Sequence, residues 1–118
     1  MSTKFNMTKD LAGYNGFGVD FSLDGFSMVL AANVAQSVTV PSTYPWFLAV
    51  FSYTPGSNIW VDGITTAVVP TGAAAATTAK LNPAARRVKA GSTISFKTSD
   101  ATSPQVGVEF FVITPYEN

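Results

Sequence analysis

The stretch WFLAVFSYTPGSNIWVDGITTAVVP, residues 46–70, holds the longest unbroken apolar run of the chain and its clearest turn signals, and its reading decides the fold. In residues 46–53 one set of alternate side chains is Trp46, Leu48, Val50 and Ser52, and the other is Phe47, Ala49, Phe51 and Tyr53. A half-buried strand alternates apolar with polar residues, whereas this one is apolar on both sides. It therefore has to be covered twice, by a facing sheet and by a further layer, for which another subunit is a natural source. Residues 54–58, TPGSN, turn the chain, because Pro presets φ for the second residue of a turn and Gly accepts the positive φ that follows. Ile59, Trp60 and Val61 return as a short strand, Asp62-Gly63 makes a tight turn, and residues 64–69 form a third β-rich segment closed by Pro70. Residues 46–70 are thus predicted to be the central hairpin of a sheet.

On the N-terminal side, residues 17–24 alternate cleanly, with Phe17, Val19, Phe21 and Leu23 on one face and Gly18, Asp20, Ser22 and Asp24 on the other, as in a half-buried strand. Asp24-Gly25 reads as a hairpin turn, after which Phe26, Met28 and Leu30 resume the inward face. Residues 36–40 give a further strand that Pro41 stops. Residues 1–16 are polar and form an N-terminal arm with at most one short strand; residues 17–118 form the single domain. On the C-terminal side, residues 71–81, TGAAAATTAKL, are read either as one or two helical turns or as a long surface loop, since Ala favours a helix while Gly and the Thr pair oppose it. Val88, Ala90, Ser92, Ile94 and Phe96 then alternate with polar residues in a strand kinked at Ala90-Gly91, and residues 106–113, VGVEFFVI, are the last strand, apolar on its second face through Phe111 and Ile113. Seven or eight short strands with turns about every 8 to 12 residues and no long helix predict an all-β, antiparallel, jelly-roll-like β-sandwich.

Composition narrows the function. A chain of 118 residues is one domain by length and buries roughly two-thirds of its unfolded surface. It contains neither cysteine nor histidine, which removes disulfides, thiolate nucleophiles, Ser-His-Asp chemistry and the usual zinc, haem and copper ligands. No catalytic residue, metal site or cofactor is therefore expected. Charged residues make up 12%, against about 25% in an average soluble domain. With 47% hydrophobic residues and zero net charge, the simplest reconciliation is an exterior largely occluded in an assembly, the remainder coated by 25 Ser and Thr residues. The N-terminus has no apolar signal core and no run is long enough to span a bilayer, so synthesis in the cytoplasm without a membrane anchor is expected. Seven basic against seven acidic residues give no global attraction to nucleic acid.

Three constellations invite a chemical reading. Asp20 and Asp24 share one strand face but lie roughly 13 Å apart, beyond the separation of a glycosidase pair, and read as a strand edge and a turn residue. Lys80, Arg86, Arg87 and Lys89 gather four of the seven positive charges in ten residues, a patch suited to an acidic partner surface. No aromatic residues interleave to stack bases. Tyr44, Trp46, Phe51, Tyr53 and Trp60 contain the material of a sugar-binding platform, but without clustered Asp, Asn and Gln to grip hydroxyls they read as core or interface anchors.

The segments PGSNIWVDG (55–63), LNPAARRVKAGSTISF (81–96) and GVEFFVI (107–113), in this order, resemble those of small structural proteins of tailed bacteriophages, in particular the head-decoration or cement proteins, a style that some neck and tail proteins share. The resemblance spans residues 46–113 and implies a β-sandwich subunit, commonly a homotrimer, that clamps neighbouring capsid subunits on the virion surface. Its motifs are turns and strand starts, so no binding residue is carried over. The expectation is thus a non-enzymatic virion protein that stabilises the capsid and has copies of itself and the major capsid protein as partners. Its contact anchors are sought among Trp46, Phe47, Phe51, Tyr53, Phe111 and Ile113, and its charged contacts at Arg86, Arg87 and Lys89. Alternatives are a tail, neck or fibre module binding a host surface glycan, and a free cytoplasmic β-sandwich binder.

Overall fold

Residues 105–112, with Val106, Val108, Phe110 and Val112 on one face and Phe111 on the other, form the strand on which the largest sheet is assembled. The computed structural model describes residues 3–5, 11–12, 21–70 and 79–113. Among them are eight strands and no helix: β1 (Thr3–Lys4), β2 (Asp24–Val29), β3 (Gln36–Thr39), β4 (Trp46–Tyr53), β5 (Ile59–Asp62), β6 (Ala85–Lys89), β7 (Thr93–Thr98) and β8 (Gln105–Val112). One sheet has the order β8-β4-β6, with β2 and β1 lying end to end along the other edge of β8; the second has the order β3-β7-β5. All pairings are antiparallel except the short β1–β8 contact. A bridge from Trp60 to Leu81 continues the second sheet past β5.

Register decides which side chains meet between the sheets. In β4 and β8, Ala49 is opposite Phe110 and Phe51 opposite Val108, so Phe47, Ala49 and Phe51 share a face with Val106, Val108 and Phe110. In the second sheet Val38 is opposite Ile94, and Val61 opposite Phe96. These residues, with Leu30, Val40 and Ile59, are buried together. Phe51 of the first sheet meets Phe96 of the second edge-on at 6.1 Å, and Phe110 meets Phe47 and Phe26 edge-on at 6.2 and 5.9 Å, the geometry that ring quadrupoles favour. The all-β two-sheet architecture is that expected from the spacing of strands and turns.

The connections differ from the sequence-based expectation in four places. Residues 46–70 are not a hairpin: β4 and β5 lie in different sheets, and the Thr54–Ser57 turn carries the chain across. The turn itself is as expected, with Gly56 at φ +79° and Ser57 N–H donating to the Thr54 carbonyl at 3.1 Å. Residues 64–69 form no strand; Ile64 and Val68 are exposed and Ala67 is buried. Asp24-Gly25 is not a turn but the start of β2, held by six register pairs with residues 105–110 of β8, so pairing with a central strand overrides a local turn preference. Residues 88–96 are two strands rather than one kinked strand. The turn at Ala90-Gly91, with φ +76° at Gly91, moves the chain from the first sheet to the second.

The second apolar face of β8 is covered from within the chain. Phe111 is opposite Thr3 of β1, is fully buried, and takes the ring of Phe5 edge-on at 5.9 Å. The expected arm thus contributes a strand at Thr3–Lys4, while residues 6–10 and 13–16 lie outside the described residues. Phe110→Ala is predicted to cost about 3–5 kcal/mol in urea unfolding, because its ring is fully enclosed, and Phe26→Ala, about half exposed, well under half of that. Equal costs would mean that the core is not centred on Phe110.

Candidate functional site

The cationic run predicted to meet a partner lies on β6 and the segment before it, at the side of the sandwich where β6 and β5 close the two sheets. Alternation sends its members in different directions. Arg86 is opposite the inward-facing Ala49, and its guanidinium reaches across to donate to the Ala79 carbonyl at 2.8 Å, tying the edge of the first sheet to the strand-like segment beside β5. Arg87 faces outward and lies over the Trp46 ring, 4.0 Å from its centroid, a cation–π contact worth about 0.5–1 kcal/mol at an exposed position. Lys89 is opposite Trp46 on that same outward face. Lys80 donates to Asp62 Oδ2 at 2.8 Å.

Asp62, the last residue of β5, organises the loop that follows. Its Oδ1 accepts from the backbone N–H of Ile64 at 2.9 Å and of Thr65 at 3.1 Å, and its Oδ2 accepts from the Thr65 hydroxyl at 3.0 Å besides Lys80. This is an Asx turn, in which a carboxylate replaces the backbone carbonyl of a tight turn. The expected Asp62-Gly63 turn is therefore present, closed by the side chain. Farther on, Ala67 N–H donates to Ser95 Oγ at 2.9 Å, which holds the loop over the second sheet. Burial alone would raise the Asp62 pKa, but Lys80 and the donors from Ile64 and Thr65 more than offset it and hold the carboxyl well below the usual range.

Between these cations the two sheets part in a cleft of about 470 Å³. Its floor is apolar and drawn from both sheets, with Phe51 and Val88 from the first and Val61 and Ile94 from the second. Its mouth carries Lys80, Arg86, Arg87 and Lys89, and among the described residues that line it Asp62 is the sole carboxylate, a balance of four positive charges against one negative. Tyr53 stands nearby, its ring stacked on Phe51 and its hydroxyl donating to the Pro83 carbonyl. Burial pushes its phenol well above the ordinary tyrosine range, and the charge of Arg86 lowers it only in part.

The predicted anchors are distributed through the fold and do not form one surface. Phe47 and Phe111 are fully buried and Phe51 nearly so, all within this chain, and so they have almost no surface to offer another. Tyr53, Trp46 and Ile113 are half-buried, Trp46 beneath Arg87 and Ile113 donating its N–H to the Trp46 carbonyl at 3.3 Å. Arg86, Arg87 and Lys89 do come together, at the cleft mouth. The aromatic residues weighed as a sugar platform do not: Trp60 is buried opposite Lys97 on the outer side of the second sheet, and Tyr44 is exposed in the loop before β4. Of the two aspartates, Asp24 is half-buried in β2 and Asp20 lies outside the described residues.

Two features escaped sequence reasoning. The cleft needs Val88 and Ile94 to face each other from different sheets, which periodicity does not report. Phe21, Leu23 and Phe26 are expected on the apolar, inward face, but in the fold they are exposed on and before β2, Phe21 at 93% and Leu23 at 71%, and Val29 is exposed there as well. The strand expected over residues 17–24 is absent at its described positions 21–23, and Phe17, Val19 and Asp20 lie outside the described residues.

No protein-family model, no curated protein and no solved structure matches this chain.

The depressed Asp62 pKa makes a signed prediction. A carboxyl with a lowered folded-state pKa contributes stability above its unfolded value, about pH 3.9, and that contribution is lost as pH falls toward the folded value. Asp62→Asn should therefore lower stability by about 1–3 kcal/mol at pH 7, and the gap to wild type should narrow as pH is lowered below about 4. Urea unfolding at pH 7, 4 and 3 checks this, and a gap that widens toward acid would contradict the assignment.

Proposed function

We propose that this chain is a non-enzymatic virion structural protein, a β-sandwich subunit that oligomerises and decorates a bacteriophage head by bridging capsid subunits. The observation that carries this reading is the exposure of four large apolar side chains, Phe21, Leu23, Phe26 and Val29, on and just before the edge strand β2 of a chain with only 12% charged residues. Large apolar side chains exposed close together along the chain favour a protein-protein contact. Phe26 and Val29 lie in β2 and Phe21 and Leu23 just before it, at the edge of the first sheet, so the proposed contact and the sheet edge coincide.

Two further observations favour the same reading. The strand order β2-β8-β4-β6 facing β3-β7-β5, with the Leu81 bridge as an eighth position, is compatible with the jelly-roll connectivity common among capsid and lectin domains. Arg87 and Lys89 of β6 are directed outward beside an apolar cleft, a combination suited to another protein. On this reading the partners are copies of the chain and the major capsid protein, the location is the capsid surface, and a homotrimer is the favoured state.

Light scattering of the purified chain should give an oligomer at micromolar concentration. Phe21→Ser with Leu23→Ser should shift it toward the monomer and lower occupancy on particles, while the unfolding midpoint moves little, since exposed side chains contribute within about 0.5 kcal/mol to folding. A stable, soluble wild-type monomer, or full particle occupancy by the double variant, would overturn the reading.

A further inference from the structure

We infer that the free edge of β2 pairs with β2 of a second copy, antiparallel about a two-fold axis at Phe26, so that the first sheets of two chains join into one. The inference rests on the self-association proposed above only for the existence of a contact between copies; its place and register follow from the edge itself.

Backbone direction defines the edge. The Leu30 N–H donates to the Pro104 carbonyl at 2.9 Å, on the β8 side, and main-chain groups alternate sides along a strand. Asp24, Phe26 and Met28 therefore turn their N–H and C=O groups toward β8, while Gly25, Ser27 and Val29 turn theirs outward. Among the described residues β2 has no partner strand besides β8. Side chains close both ends of the open stretch: Gln36 Nε2 donates to the Val29 carbonyl at 3.0 Å, and the Leu23 N–H donates to Thr3 Oγ1 at 2.9 Å. Between them Gly25 and Ser27 each present an outward donor and acceptor. The sequence of β2, DGFSMV, contains no Lys and no Pro, residues with which sheet proteins block an open edge.

The edge is complementary to itself. One antiparallel register alone uses both Gly25 and Ser27 without calling on either occupied group: Gly25 opposite Ser27 of the copy, and the reverse. It sets Phe26 opposite Phe26 and Asp24 opposite Met28, so the one charge of the strand meets no like charge across the contact. Phe26 is 46% exposed and edge-on to Phe110 at 5.9 Å on its inner side, and the Cα atoms of the facing Phe26 pair approach to about 4.5 Å, which brings the two rings together. The same register brings position 23 opposite position 29, where Leu23 and Val29 are both exposed. With Phe21 these side chains expose on the order of 500 Å² per chain, so a pair removes about 1,000 Å² of apolar surface, the lower range of a specific contact. A two-fold contact closes at two chains, and it is therefore separate from any contact that gathers copies into trimers.

The chain has no cysteine, so introduced ones report alone. Under mild oxidation an equimolar mixture of Asp24→Cys and Met28→Cys chains, each with its fold checked by its unfolding midpoint, should form the mixed disulfide in preference to either self-linked pair. Ser27→Pro removes an outward N–H and no bond to β8, and Phe26→Lys sets like charges together on the axis. In sedimentation equilibrium each should weaken self-association at least about tenfold, while Thr39→Lys, exposed on β3, leaves it unchanged. Absence of the mixed disulfide, or self-association that neither variant weakens, overturns the inference. If Phe21→Ser with Leu23→Ser dissociates the oligomer while Ser27→Pro and Phe26→Lys do not, the strand pairing falls and the oligomeric reading stands. If the mixed disulfide forms but purified particles lack the chain, the pairing stands and the virion reading falls. A wild type that stays monomeric at micromolar concentration overturns both.

Discussion

The pairing of β4 with β8 is the interaction on which the rest of the structure depends. Seven residue pairs, from Phe47 with Val112 to Tyr53 with Val106, place two strands with apolar residues on both faces side by side at the centre of the first sheet. Their inner row supplies Phe47, Phe51 and Phe110, the rings that meet Phe96 and close the core. Their outer row includes Phe111, which no polar surface tolerates, and β1 with Phe5 is laid over it. An apolar second face thus imposes a demand that this chain meets partly by itself. What it leaves open is displaced to the edges, to β2 on one side and to the cleft beside β6 on the other.

Much of this was legible in the sequence, and the reasons are local. The strand positions of β3, β4 and β8 follow from alternation and from the prolines and glycines that end them, and the Thr54–Ser57 turn follows from Pro55 and Gly56. Sheet membership was not legible. Nothing in residues 85–98 says that the turn at Gly91 changes sheets, because the inward faces of β6 and β7 continue one alternation across it. The Asp24-Gly25 pair carries a turn preference that six register pairs with β8 override.

The candidate site was legible in its charges and not in its shape. Arg86, Arg87 and Lys89 announce a patch by proximity, but their distinct roles follow from register on β6: one guanidinium clasps the two sheets, and the other lies on Trp46. The Lys80–Asp62 pair joins residues 18 apart in sequence, a relation that no short motif encodes. Of the aromatic residues expected to anchor a partner, Phe47, Phe51 and Phe111 are buried within this chain, since a domain of this size needs its largest side chains to close two small sheets, whereas Trp46 and Tyr53 are half-buried.

A virion role is the claim that joins the low charge, the exposed apolar side chains on and before β2 and the cationic cleft into one account. Quantitative mass spectrometry of purified particles from a culture producing this protein tests it most directly. The account predicts the chain in the particle at a fixed copy number, in simple ratio to the major capsid protein, and retained through density-gradient purification. Its absence from the particle, or a trace amount without fixed stoichiometry alongside abundant unassembled protein in the lysate, would contradict the account.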